Sequence, residues 1–453
     1  VNDPDLLVIG GGSAGLSAVR TARRLGHSVV MVSDGPPGGD CTFTGCVPSK
    51  TLLASGHLPF DEAKARVQRT VAAIAATEDA DVLRGEGVEV ITGRAFAHAR
   101  NNVEVDGRSL TPGAVVIATG SDPVIPPIPG LCDVSYLTNE TLFDLAELPE
   151  HLAVVGGGAI GVEMAQAFIR LGARVTVIEG TPRLIGKEEP DASEVVAEVL
   201  RREGVDVYTA TTVTAVTPAG SGIRISTSGG DVHASHLLVA AGRQPLTHGC
   251  DDLDLDRSEG GAIRVDSRMR TSVAGIYAAG DVTGRLPFTH AADEMGRVAA
   301  TNALRKRPIR FHEHAIPWVT FTSPEVARVG LTESQAAQGT RGARVVELPI
   351  GEVDRAQTSG CTDGFIKIIV GPRPLLRNIG GGKVLGATIV AERAGEMIAE
   401  LALAMRTGMF TGRLAQTSHA YPTWSIGVQQ TVAQLFGVGD RQPRPARKDQ
   451  RDE

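Results

Sequence analysis

One supersecondary unit occurs twice in the chain. Leu6-Leu7-Val8-Ile9 runs into Gly10-Gly11-Gly12-Ser13-Ala14-Gly15, then a helical stretch to Leu25-Gly26 and an apolar strand from Ser28 to Val32. Leu152-Ala153-Val154-Val155 runs into Gly156-Gly157-Gly158-Ala159-Ile160-Gly161, then a helical stretch to Leu171-Gly172 and an apolar strand from Arg174 to Ile178. Strand, glycine turn, helix, strand is how a doubly wound sheet begins, because neighbouring parallel strands need a helical crossover. A lone GxGxxG is weak in a chain with 54 glycines. Two of them in full context constrain the fold strongly, to α/β with two Rossmann-like dinucleotide-binding domains.

At 453 residues the chain exceeds one ordinary domain. Beyond about Ala315 the texture changes. Val326–Val329, Phe365–Val370 and Val384–Val390 read as strands and Gly395–Met405 as an apolar helix, a separate α+β module. The tail from Arg441 is charged and proline-containing, and is expected to be disordered. A net charge of −7 gives no global basic field for nucleic acid. No apolar run reaches the ~18 residues that would span a bilayer. The start, Val1 to Asp5, is acidic and does not read as a secretory signal. Five cysteines are too few for a disulfide framework, so a reducing cytoplasm is expected, with any pair catalytic rather than structural.

The chemistry of each turn follows from its residues. Glycines at 10 and 12 let backbone approach a pyrophosphate, Gly15 lets helix and sheet close up, and the helix N-terminus offers free N–H groups. The second turn repeats this with Gly156, Gly158 and Gly161. An acidic residue ending the second strand should take the ribose hydroxyls. The first unit has Ser33 there, with Asp34 next; the second has Glu179. A carboxylate at that place repels a 2′-phosphate, so NADH is expected over NADPH, with nearby Arg183 acting against the preference.

Gly38-Gly39-Asp40-Cys41-Thr42-Phe43-Thr44-Gly45-Cys46-Val47-Pro48-Ser49-Lys50 holds two cysteines five positions apart. An ideal helix would put their Cα atoms ~8.6 Å apart, whereas a disulfide needs about 4.4–6.8 Å. They bridge only if the helix is distorted, and Gly45 and Pro48 both supply distortion. A cysteine at a helix N-terminus is also the more nucleophilic for it. Cys132, Cys250 and Cys361 stand alone and read as packing residues.

Together these strings resemble the flavin-dependent pyridine nucleotide–disulfide oxidoreductases, the group of dihydrolipoamide dehydrogenase, glutathione reductase and mercuric reductase. The resemblance runs over about residues 5–437. It implies an FAD domain (1–148 and 273–312), an NAD(P) domain (149–272) and a dimerisation domain (313–440), with 441–453 as the tail. It also implies a homodimer. By this resemblance FAD is held by Gly10, Gly12, Ser13, Gly15, Ser33, Asp34, Gly39, Lys50, Thr119, Gly120, Gly280, Asp281 and Thr289. Thr289 and His290 are expected near the pyrimidine end of the flavin. The pyridine nucleotide is held by Gly156, Gly158, Gly161 and Glu179, with Gly242 on the return to the flavin domain. Cys41 and Cys46 correspond to the redox disulfide, with Cys46 facing the flavin and Cys41 the acceptor. Lys50 corresponds to the lysine at flavin N5, and Glu163 to its carboxylate partner.

The acceptor end differs. Disulfide reductases of this group place a histidine before a proline near the C-terminus, with a glutamate five residues on. Here Ser418-His419-Ala420-Tyr421-Pro422 puts Tyr421 before the proline and Ile426 at the glutamate position. Tyrosine also occurs there in mercuric reductases, although this chain lacks their C-terminal cysteine pair. His419 is the alternative base. Electrons are therefore expected to pass from NADH through FAD and Cys41–Cys46 to a disulfide, a metal ion or a quinone, with a mercuric-reductase-like acceptor end. No resident metal is expected. The competing readings are a dihydrolipoamide dehydrogenase and a flavin-carrying redox sensor with little turnover. A mere carrier has no need of Cys41, Cys46, Lys50 and Glu163.

Overall fold

The computed structural model describes residues 3–373, 375, 378–439 and 441–449. Two compact units emerge, 1–131 with 135–148 and 237–313, and 132–134 with 149–236 and 314–453.

The first unit is built on a parallel sheet in the order Ile276–Ala278, Ala114–Ile117, Leu6–Ile9, Val29–Ser33, Glu89–Thr92. The three central strands are buried throughout, which is why they read as unbroken apolar runs. Helix Ser13–Arg24 turns a face of Ala14, Gly15, Ala18 and Ala22 inward. A Cβ on Gly296 would stand 2.1 Å from the Ala14 carbonyl oxygen, so that glycine lets helix Thr289–Leu304 cross close against it. An antiparallel meander, Ala95–Ala99, Asn102–Val105 and Arg108–Leu110, completes the unit.

The segment 237–272 was expected in the second domain and belongs to the first unit. Cys250, Leu253, Leu255 and Ile263 share one core with Leu7, Ile9 and Val115. The Ala97 N–H donates to the Gly249 carbonyl at 2.7 Å, and the Ile263 N–H to Val282 at 2.9 Å. Apolar burial and backbone pairing together outweigh position along the chain.

The second unit repeats the parallel arrangement with Asp206–Tyr208, Arg174–Ile178 and His151–Val155, and helix Ala159–Arg170 on the sheet. Its other half is an antiparallel sheet in the order Pro317–Thr320, Glu325–Gly330, Lys383–Ala391, Phe365–Gly371, Arg344–Pro349, Arg444–Pro445. Helix Ala394–Thr407 covers it with Ala394, Met397, Ile398 and Leu401. The expected boundary between an NAD(P) domain and a dimerisation domain is bridged by buried polar contacts. Arg328 bonds Glu188 at 2.7 Å, and the Lys367 ammonium, 3% exposed, lies 2.6 Å from Asp191. Burial works to lower the Lys367 pKa, but Glu189 and Asp191 hold it above the ordinary value.

The tail is not disordered over its described residues. Arg444–Pro445 adds an edge strand to Arg344–Pro349, and the Arg444 guanidinium pairs with Glu333. Residues 450–453 lie outside the described residues. Among the described residues, no helix is long and apolar enough to cross a membrane.

Candidate active site

Cys41 and Cys46 sit where one helix stops and another starts. Helix Gly39–Phe43 carries Cys41, and helix Cys46–Leu53 begins with Cys46. Gly45 marks the break, with φ −125° and ψ −110°, and a Cβ there would lie 2.8 Å from the Asp40 carbonyl oxygen. The distortion that the spacing demands is therefore a full break between two helices. The Thr289 hydroxyl donates to Cys41 Sγ at 3.2 Å and lies 3.4 Å from Cys46 Sγ. The sequence had pointed Thr289 toward the flavin pyrimidine; the structure puts its hydroxyl between the sulfurs. His290 stacks on Phe288, ring centroids 5.9 Å apart.

Cys41 is held far above the ordinary thiol range, chiefly by its hydrogen bond with Cys46, then by burial and the Cys46 charge. Two thiols this close lose protons in sequence, and the second stays because the first leaves a negative charge beside it.

The redox loop is stitched to the first glycine turn. The Gly38 N–H donates to the Gly11 carbonyl at 2.9 Å. Gly39, at φ +58°, comes so near that a Cβ would meet Gly12 Cα at 2.9 Å. Gly10 needs its φ of +115°, since a Cβ there would be 2.1 Å from the Ala118 carbonyl oxygen. Gly12 differs: a Cβ would meet nothing within 4 Å. Helix Ser13–Arg24 has no side-chain cap and no acidic residue in its first turn. An open approach to uncapped N–H groups suits a pyrophosphate, so these residues fit FAD. Nearby, Asp281 accepts from Ser121 Oγ at 2.7 Å, and the Thr119 hydroxyl bonds the Leu246 carbonyl. Arg243 binds Asp40 and Ser121, an anchor that nothing in its own string announced. Gly120 and Gly280 both adopt positive φ, +80° and +81°. Ser33 Oγ donates to the Gly35 carbonyl at 2.8 Å, whereas Asp34 is exposed, 3.6 Å from Arg94. Lys50 lies on helix Cys46–Leu53, four residues past Cys46.

In the second unit Gly158 is likewise open and its helix uncapped. Glu179 accepts from the Gly157 N–H at 2.6 Å and the Thr181 N–H at 2.7 Å, which fixes the carboxylate at the turn. Gly242, at φ +127°, accepts from the Val124 N–H within the first unit. Glu163 is buried and accepts from the Phe321 N–H at 2.8 Å.

Tyr421 is 70% exposed, and its hydroxyl donates to Asp354 at 2.8 Å. That bond pushes the phenol pKa up. Sequence reasoning missed Asp354, which sits 67 positions upstream and belongs to no motif. His419 is used at both nitrogens, Nδ1 against the Thr417 carbonyl (3.0 Å) and Nε2 against Glu400 (3.2 Å). Both ring nitrogens are therefore engaged by neighbouring groups of the same chain. Of the three lone cysteines, Cys250 is buried, Cys361 is half-buried and Cys132 is exposed, so packing explains the first only.

The model for pyridine nucleotide-disulphide oxidoreductases matches residues 4–296, and that for their dimerisation domain matches 316–432. The chain belongs to this family. It is therefore a flavin disulfide oxidoreductase using FAD and a pyridine nucleotide, and its dimerisation domain supports a homodimer. It is 37% identical to a mercuric reductase of Streptomyces lividans, over 95% of this chain and 96% of that one. It is 32% identical to a dihydrolipoyl dehydrogenase of Thermus scotoductus, over 95% and 97%. Among solved structures, the Cu(II) complex of the HOCl-induced flavoprotein disulfide reductase RclA from Escherichia coli matches with TM-score 0.87 and 28% identity, covering 96% of this chain and 99% of that one. LpdA from Mycobacterium tuberculosis matches with TM-score 0.87 and 31% identity, covering 96% and 100%.

Proposed function

We propose that this oxidoreductase takes two electrons from NADH, stores them as the Cys41–Cys46 dithiol and delivers them to an acceptor of the metal-ion class, as its mercuric reductase relatives do by name. The observation that carries the reading is the pair of thiols sharing the single hydroxyl of Thr289. Bound FAD supplies two-electron exchange between nicotinamide and sulfur. Gly10, Gly12, Gly15, Gly39, Thr119, Gly120, Gly280 and Asp281 hold it. Lys50 supplies positive charge for it, as the family resemblance implies. Gly156, Gly158 and Gly161 receive the nucleotide, and Glu179 favours a free 2′-hydroxyl over a 2′-phosphate.

The balance is simple. The disulfide takes two electrons and two protons and becomes two thiols. Cys41 loses its proton as it binds the acceptor, Cys46 loses its own and attacks Cys41 Sγ, and the Cys41–acceptor bond breaks with its electron pair leaving on the acceptor, so the disulfide re-forms and two protons are released. Tyr421, kept protonated by Asp354, offers a neutral hydroxyl at that end. The reducing cytoplasm suits this chemistry.

Anaerobic NADH oxidation by the yellow holoenzyme, with Hg(II), lipoamide or a quinone as acceptor, tests this. Hg(II) turnover that is lost in both Cys41→Ser and Cys46→Ser supports it. Lipoamide as the one productive acceptor would replace it with the dihydrolipoamide dehydrogenase reading. Flavin reduction with no acceptor turnover would favour a redox sensor. In the reduced protein, Cys46→Ala removes the main cause of the raised Cys41 pKa, so iodoacetamide should label Cys41 faster at about pH 8.

A further inference from the structure

The loop after Glu179 is a tightly tied segment. Its Thr181 N–H donates to the Glu179 carboxylate at 2.7 Å, and the Thr181 hydroxyl donates to the Arg183 carbonyl at 3.0 Å. The Ile185 N–H closes back on the Gly157 carbonyl at 2.7 Å. Arg183 is the one cation between Glu179 and Ile185 in the sequence. Its guanidinium donates to Asp449 at 3.1 Å, with side-chain exposures of 20% and 18%. Asp449 comes from the tail, beyond residue 432 where the dimerisation model stops matching.

The tail is anchored well enough to deliver that carboxylate. Arg444 pairs with Glu333 and with Glu347 at 3.5 Å. The Ala446 N–H bonds the Ala343 carbonyl at 3.1 Å, the Arg447 N–H bonds Glu333 at 2.9 Å, and the Asp449 N–H reaches Ser334 Oγ at 3.4 Å.

We propose that the C-terminal tail selects against 2′-phosphorylated nucleotides, with Asp449 occupying Arg183 so that Glu179 alone sets the charge of the ribose-reading loop. This rests on the Gly156–Gly161 turn being the nucleotide site. A 2′-phosphate is an anion that meets the Glu179 charge, and the cation that would offset it is already engaged by a half-buried carboxylate. Removing the Asp449 charge frees the guanidinium to turn to the phosphate.

The test is calorimetric binding of NAD+ and NADP+ to the oxidised full-length holoenzyme. Asp449→Asn keeps side-chain shape and removes the charge. It should bind NADP+ about ten-fold tighter, the scale of one charge-assisted hydrogen bond, and leave NAD+ binding unchanged. Stopped-flow flavin reduction by NADPH should rise in parallel. Arg183→Ala added to Asp449→Asn should abolish the gain, and added salt should shrink it. No gain in Asp449→Asn, or a gain that survives Arg183→Ala, overturns the proposal while leaving the nucleotide site intact. A wild-type enzyme that binds neither nucleotide removes the site and the proposal together.

Discussion

The two glycine turns have nearly the same backbone and different chemistry. Gly10 and Gly156 take φ of +115° and +112°. A Cβ on Gly15 would stand 2.0 Å from the Gly10 carbonyl oxygen, and one on Gly161 would stand 1.9 Å from that of Gly156. Gly12 and Gly158 start their helices at φ, ψ of −77°, −172° and −74°, −176°. What differs lies on the rim. The second turn is closed by the Glu179 carboxylate on the Gly157 amide. On the first, the Gly11 carbonyl accepts from Gly38 at the start of the redox loop, and Ser33 turns its hydroxyl away to Gly35. A phosphate cradle is a backbone shape, so it repeats; sugar reading and thiol delivery are side-chain tasks, so they diverge.

The largest effect tests the shared part. Gly10→Ala must hold an L residue at a φ that only glycine takes easily, with its Cβ driven into Ala118. Strain and overpacking together cost about 2–6 kcal/mol. Denaturant unfolding should show that loss, or no soluble flavoprotein should form. A stable, flavin-loaded Gly10→Ala variant would mean the turn is not rigid.

The next effect separates the turns. Gly12→Ala and Gly158→Ala add a methyl where nothing stands within 4 Å, so both variants should fold. Gly12→Ala should then lose flavin content and keep nucleotide affinity; Gly158→Ala should stay yellow and bind NAD+ poorly. The loss should be about a hundred-fold or more, since the methyl displaces a phosphate from several N–H donors. If either variant lost both ligands equally, the two turns would not be independent sites.

Most of this framework was legible because glycine carries its own reason: no other residue allows those close approaches. The break at Gly45 was legible for the same cause. Partnerships between distant residues were not. Asp354 on Tyr421 and Glu400 on His419 come from segments with no motif of their own, and Thr289, read for the flavin, meets the sulfurs instead. The tail shows this most clearly. Arg444 looks like solvated charge in a proline-containing string, yet its carboxylate partner Glu333 lies 111 positions away. Segment 237–272 was misassigned because its core residues are few and scattered; only the sheet they cover shows where they belong.

A third, smaller effect concerns the rim of the second turn. Glu179→Gln replaces two acceptor oxygens with one, so one of the Gly157 and Thr181 amides faces an NH2 group. NAD+ affinity should fall about ten-fold, from one lost charge-assisted bond at a part-exposed site. Thermal stability should fall by only about 1–2 kcal/mol. Unchanged NAD+ binding would mean the carboxylate serves the turn and does not read the ribose.

The smallest effect belongs to the corresponding position of the first turn. Ser33 is 8% exposed, and its hydroxyl makes a short local bond to the Gly35 carbonyl at 2.8 Å. Ser33→Ala leaves that carbonyl without this donor, at a cost of about 1 kcal/mol. It relieves no crowding, because Gly11 beside Ser33 Oγ has no Cβ, so the sign on stability is a loss. Flavin retention should not change, because Asp281, Thr119 and the turn amides remain. Equilibrium dialysis of flavin against denaturant-free buffer measures this directly. If Ser33→Ala sheds flavin as readily as Glu179→Gln sheds NAD+, then Ser33 reads the FAD ribose through its hydroxyl. The two rims would then differ in residue type but not in task, and Asp34, exposed beside Arg94, would be left with a surface ion pair alone.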